Sequence, residues 1–203
     1  MRKVGLDCTT LRRRTLTIST ATSGEPPAGI TSTLVVCLGV SQLVGWGTMH
    51  YLVAVFAPAI AGDTGWSLAF IHAGFSVALL VMGAASYRVG EWIDRHGGRL
   101  AMMVGCWCGV AGCLLLAVMR HEVLYIAAWM LLGLGMRLAL YDAAFAALAH
   151  VGGAQARHAM SLITLAGGLG STVFWPVGQQ LASEFGWRGA VAVRWTLSAM
   201  ALL

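Results

Sequence analysis

Three features of the sequence predict an all-α, polytopic membrane protein. Of its 203 residues, 58% are hydrophobic and only 10% are charged, against about 25% charged in soluble domains. The mean hydropathy is +0.77. The apolar residues fall in unbroken runs close to the ~20 needed to cross ~30 Å of hydrocarbon as a helix, and the charge is gathered into short stretches between them. A transmembrane β-barrel is excluded, because its strands alternate over about 10 residues.

Residues 1–31 are basic, then rich in Thr and Ser, and end near Glu25-Pro26-Pro27. No apolar run follows the arginines directly, so this is not a secretory signal peptide. We expect a disordered basic cytoplasmic tail beside anionic headgroups, although the composition also fits an organelle transit peptide. Residues 32–203 are expected to form a bundle. Its first span, about 34–57, should close at Pro58 and be weakened in its middle by Gly45-Trp46-Gly47. Gln42, Trp46 and His50 recur every four residues and share a face, which points to protein or a cavity rather than lipid. The second span covers about 67–87 and the third about 100–119. The third holds no charge, and a helix apolar all round suits the lipid-facing periphery.

The fourth span, about 123–148, carries Arg137 and Asp142. Arg137 would lie about 21 Å along it, near or past the midplane. Five residues apart on one helix, the two point about 140° away from each other, so each should find a partner elsewhere. The fifth span, about 159–182, contains Gly167-Gly168-Leu169-Gly170 for close contact and Pro176 for a kink. Thr164, Gly168, Ser171, Thr172, Trp175 and Gln179 share one of its faces. A sixth, about 189–203, is short for a span and looks truncated; Arg194 should snorkel to its outer end.

Charge fixes the expected sidedness. Basic residues 2, 3, 12, 13, 14, 88, 95, 99 and 157 fall on one side, and Arg120 and Arg188 on the other. The N-terminus is thus expected in the cytoplasm, and the protein in an inner membrane. Asp63-Thr64-Gly65-Trp66 and Glu184-Phe185-Gly186-Trp187 repeat an acid-x-Gly-Trp turn, both on the outer side. The five cysteines show neither pairing nor zinc spacing and read as small apolar filler. No cofactor, metal site or nucleic-acid partner is expected; the basic balance belongs to the tail.

Gly90-Glu91-Trp92-Ile93-Asp94-Arg95-His96-Gly97-Gly98-Arg99 is the densest charge in the middle of the chain. We expect a surface loop here, with Asp94 at the N-terminus of the next helix. The spacing of Gly90, Asp94, Arg95, Gly97 and Arg99 resembles the loop between the second and third helices of major facilitator superfamily transporters; Gly98 stands where that pattern has a first basic residue. The resemblance covers roughly residues 33–203 and implies the six-helix N-terminal bundle of a twelve-helix transporter. In that family the substrate sits at the midplane between two halves that rock in alternating access. It implies that the first and fourth spans line the cavity, and that the Gly90–Arg99 loop gates by latching onto the other half. Gly65-Trp66-Ser67 and Gly186-Trp187-Arg188 resemble the monocarboxylate and oxalate–formate branch. Tyr141-Asp142-Ala143-Ala144-Phe145 and the run from Gly167 to Pro176 resemble bacterial members of unknown substrate.

Substrate contacts are expected from Arg137, Asp142, Tyr141, His50, Trp46, Gln42 and Gln179. A guanidinium keeps its charge and holds a carboxylate with two parallel bonds, so Arg137 suits a small organic anion. The competing reading is a structural ion pair. Asp142 suits a coupling proton, or a structural partner for a neighbouring helix. For His50, and more so for His72, packing is the stronger reading, and it explains Trp46 and Trp175 almost as well as a cavity does. The expected partners are a small-molecule substrate, the bilayer, and a C-terminal half or a second copy. Two other readings stand beside this one. One is a truncated fragment without transport of its own. The other is a membrane-embedded enzyme, which would need a nucleophile with its base or a metal cluster on facing helices; no such pattern appears.

Overall fold

The computed structural model describes residues 30–152 and 156–200, with side chains outside 150–152 and 195–200. The tail up to residue 29 with Cys8, the loop residue Gly153, and the last residues of the sixth span lie outside the described residues. Within them the architecture is all-α, with no strand. In order come α1 (Ser32–Gly45), a π turn (Trp46–His50), α2 (Leu52–Thr64), α3 (Leu68–His96), α4 (Gly98–Val118), α5 (Glu122–Ala139), α6 (Tyr141–Gly152), α7 (Ala156–Gly168) and α8 (Gly170–Met200).

Grouped by continuity and apolarity, five segments among the described residues are long enough to cross a membrane: Ser32–Thr64, Leu68–His96, Gly98–Val118, Glu122–Ala149 and Ala156–Arg194. The last is 39 residues, nearly twice what one crossing needs. It joins the fifth span to the start of a sixth, because Gly186 interrupts α8 with φ 69°, ψ 168°. Gly65 (φ 73°) turns the chain between α2 and α3 in the same left-handed region, so the repeated acid-x-Gly-Trp stretches both reverse the chain. The two turns meet. Asp63 Oδ2 accepts from Arg188 Nε (3.2 Å) and Nη2 (3.0 Å) and from Trp187 Nε1 (3.2 Å). Arg188 Nη1 donates to the carbonyls of Ala117 (3.0 Å) and Met119 (2.8 Å), which brings the end of α4 to the same cluster.

The core is built on glycine. Gly105, Gly109 and Gly112 on α4 lie against Ala139, Met49 and Leu132, and Gly133 on α5 lies on the backbone of Ala78 in α3. Without side chains these residues let helix axes approach closely, and dispersion contacts hold the helices together where lipid supplies no hydrophobic force. Phe56, Ile71, Cys113, Leu116, Tyr125, Trp129 and Met136 fill the space between.

Four expectations are corrected here. Pro58 does not close the first span: it lies inside α2, which runs on to Thr64. The third span is not the periphery, since its glycine face packs on α5 and α8; the second, α3, is the least buried of the five. The Gly90–Arg99 stretch is not a loop. Helix α3 continues through Asp94 to His96, and Gly97 alone, at φ 86°, makes the reversal into α4. Asp94 therefore sits on the last turns of α3, exposed, and caps nothing. It lines a cavity of about 400 Å³ with Ile93, Gly98, Ala146 and Ala149. Arg95 pairs instead with Glu91 one turn back (3.1 Å), and Arg99 is exposed on the first turn of α4.

Candidate functional site

The first span breaks where its glycines allow it. Tyr51 N–H reaches the carbonyl of Trp46 (3.1 Å), five residues back, which widens the helix into a π turn. Such turns sit frequently at functional sites. The widening carries Trp46 and His50 toward each other, with ring centroids 4.7 Å apart. Tyr51 (5.3 Å) and Phe75 (5.1 Å) meet the His50 ring edge-on. Tyr141, from α6, lies 4.9 Å from Trp46 and stacks on Phe145 at 5.4 Å. Its hydroxyl donates to the carbonyl of Thr164 (3.0 Å) on α7, beside Gly167, where a side chain would collide with it.

The fourth span breaks at the same place. Leu140 is extended (φ −81°, ψ −161°) between α5 and α6. The Ala139 carbonyl is met by a side chain from the first span: Gln42, fully buried, donates to it at 2.9 Å. The broken segments of the first and fourth spans are thus hydrogen-bonded to each other, over the stretch that carries Arg137, Tyr141 and Asp142.

This break overturns the expectation that Arg137 and Asp142 face apart. The 140° separation holds only for a continuous helix. With Leu140 out of helical geometry, Asp142 returns to Arg137 and the two form an ion pair. Asp142 also occupies the first turn of α6, where the helix dipole favours a negative charge. Arg137 is shielded, its side chain 15% exposed, and its Nη2 also donates to Ser86 on α3 (3.4 Å); Asp142 is open, at 57%.

Gln42, Trp46, His50 and Tyr141 therefore come together across the first and fourth spans, and the Arg137–Asp142 pair flanks Tyr141 in sequence. Gln179 does not join them. It is exposed on α8 and reaches the Val55 carbonyl (3.5 Å), on the far side of the π turn. Among the described residues no group of three or more His, Cys, Asp or Glu side chains is placed to hold a metal.

Arg194 was also misplaced by sequence reasoning. It does not snorkel outward but is fully buried. Its Nη1 donates to the Gly47 carbonyl in the π turn (3.0 Å) and its Nη2 to the Phe174 carbonyl (2.7 Å). The guanidinium carbon lies 4.9 Å from the Phe56 ring centroid and 5.6 Å from that of Phe174. Burying such an ion costs several kcal/mol. Charge-assisted hydrogen bonds of about 1.5–3 kcal/mol each, with ring contacts of roughly 0.5–2, offset much of it. A single arginine in an apolar run was the available signal.

The family model of the Major Facilitator Superfamily matches residues 34–203. The chain belongs to that superfamily. It is accordingly a multi-pass membrane transporter, and the first and fourth spans, which break and are hydrogen-bonded to each other, are those the family resemblance placed at the cavity. No curated protein matches the chain.

Proposed function

We propose that this major facilitator protein is a secondary transporter of a small organic anion such as a monocarboxylate, working by alternating access. The observation that carries the reading is an arginine held beside a break in the fourth span by a carboxylate that is itself open. A shielded guanidinium with an exchangeable partner can trade Asp142 for the carboxylate of a substrate, keeping its charge compensated throughout. Protonation of Asp142 would release Arg137 for that exchange and couple a proton to it. The rings of Trp46, His50 and Tyr141 would then pack on the apolar part of the substrate, with Gln42 fixing the two broken helices. A second bundle opposite this one completes the path; we assign it to a C-terminal half or a second copy. The distribution of basic residues supports a cytoplasmic N-terminus, and we assign the protein to an inner membrane on that reading.

Uptake of radiolabelled formate and L-lactate into proteoliposomes tests this. Arg137→Lys, with one ammonium in place of a fork, should slow uptake by about tenfold or more, and Arg137→Ala should abolish it. Asp142→Asn should remove the stimulation by an inward proton gradient. Uptake unchanged in both arginine variants would overturn the anion site.

A further inference from the structure

Arg194 lies on the helix after the Gly186 reversal, yet its hydrogen bonds go to the middle of the first span and the middle of the fifth. It reaches them through a cradle written in small residues. A side chain at Gly178 would take the place of the Arg194 guanidinium, and one at Gly47 would take the place of the Phe174 ring. The two acceptors are also distinctive. Gly47 is inside the π turn, where the widened ladder moves carbonyls out of their usual register. Phe174 lies two residues before Pro176, in the turn that the proline disturbs, since its ring has no N–H to give the carbonyl four residues back. Thr48 in the same turn bonds back to the Val44 carbonyl at 2.7 Å. Arg194 thus ties both irregular backbones to one planar group that cannot lose its charge.

We propose that Arg194 is a positioning residue: by gripping the Gly47 carbonyl it holds the π turn open and sets the Trp46 and His50 rings toward the substrate. This deepens the transport reading and rests on it only for the word substrate; the grip on the turn stands on the contacts above. Lysine cannot reproduce it, because one ammonium has to serve two carbonyls that a guanidinium meets with separate nitrogens. Methionine fills the space between Phe56 and Phe174 without donating to either carbonyl.

Amide hydrogen exchange on the protein in nanodiscs reads the turn directly. In Arg194→Met the amides of residues 46–51 should exchange faster by about tenfold or more while those of α4 and α5 stay as in the parent. Arg194→Lys should fall between, and keeps the test available where the methionine variant does not fold. Uniform acceleration across all helices would reduce Arg194 to general stability and overturn the proposal, as would no change in 46–51. In parallel, the KM for formate or L-lactate should rise in Arg194→Lys with kcat nearly kept. Selective loosening of 46–51 with no monocarboxylate uptake by the parent would sustain the grip and reject the anion reading. Selective loosening with uptake present and KM unmoved would reject the positioning role.

Discussion

Tyr125 shows what a single buried side chain contributes in this bundle. It is fully buried, its hydroxyl donates to the Ile71 carbonyl at 2.6 Å, and its ring meets Trp66, Phe70 and Trp129. The Ile71 carbonyl already lies in a helix, so Tyr125→Phe loses a hydrogen bond without emptying space and should cost about 0.5–1.5 kcal/mol. Tyr125→Ala opens a cavity among three aromatic rings and should cost about 3–5 kcal/mol. Denaturation of the purified variants in mixed detergent micelles separates the two, and equal losses would mean that the ring contacts contribute little. At this scale the sequence was least informative. Arg137 and Asp142 are visible as charges in an apolar run, but their pairing depends on Leu140, which has neither the glycine nor the proline that signals a break. The same holds for Arg194, whose partners Gly47 and Phe174 are distant in sequence.

Helices were far more legible, because hydropathy and helix length follow from the bilayer alone. The weakness at Gly45-Trp46-Gly47 and the two Gly-Trp turns were readable, since glycine marks backbone that other residues resist. Which helix faces lipid was not, because α4 is apolar on every side and its glycines reveal an interface only once α5 lies against them. Gly133 and Gly83 make this testable. A side chain at Gly133 would run into the backbone of Ala78, whereas nothing lies within 4 Å of one at Gly83. Gly133→Val should therefore force α3 from α5 and lower stability by about 1–3 kcal/mol. Gly83→Ala should be neutral or gain up to about 1 kcal/mol from helix propensity. Thermal midpoints of the two variants give the comparison, and a neutral Gly133→Val would deny the close approach.

Over the whole molecule, the contacts of Asp63, Ala117, Met119, Trp187 and Arg188 gather three turns at one end, and we propose from the distribution of basic residues that this end faces outside the cell. In a background with the native cysteines replaced, an impermeant maleimide added to intact cells should label His121→Cys. Arg95→Cys should react only after the membrane is permeabilised. Both positions are exposed, so the reverse pattern would invert the orientation. The single-residue joint at Gly97 sets a mechanical rule for any rocking of this bundle. Consecutive Cα atoms stay ~3.8 Å apart, so α3 and α4, ending at His96 and resuming at Gly98, have no slack to slide lengthwise past one another. They can swing about Gly97 as about a pivot, and a push received by one is delivered whole to the other.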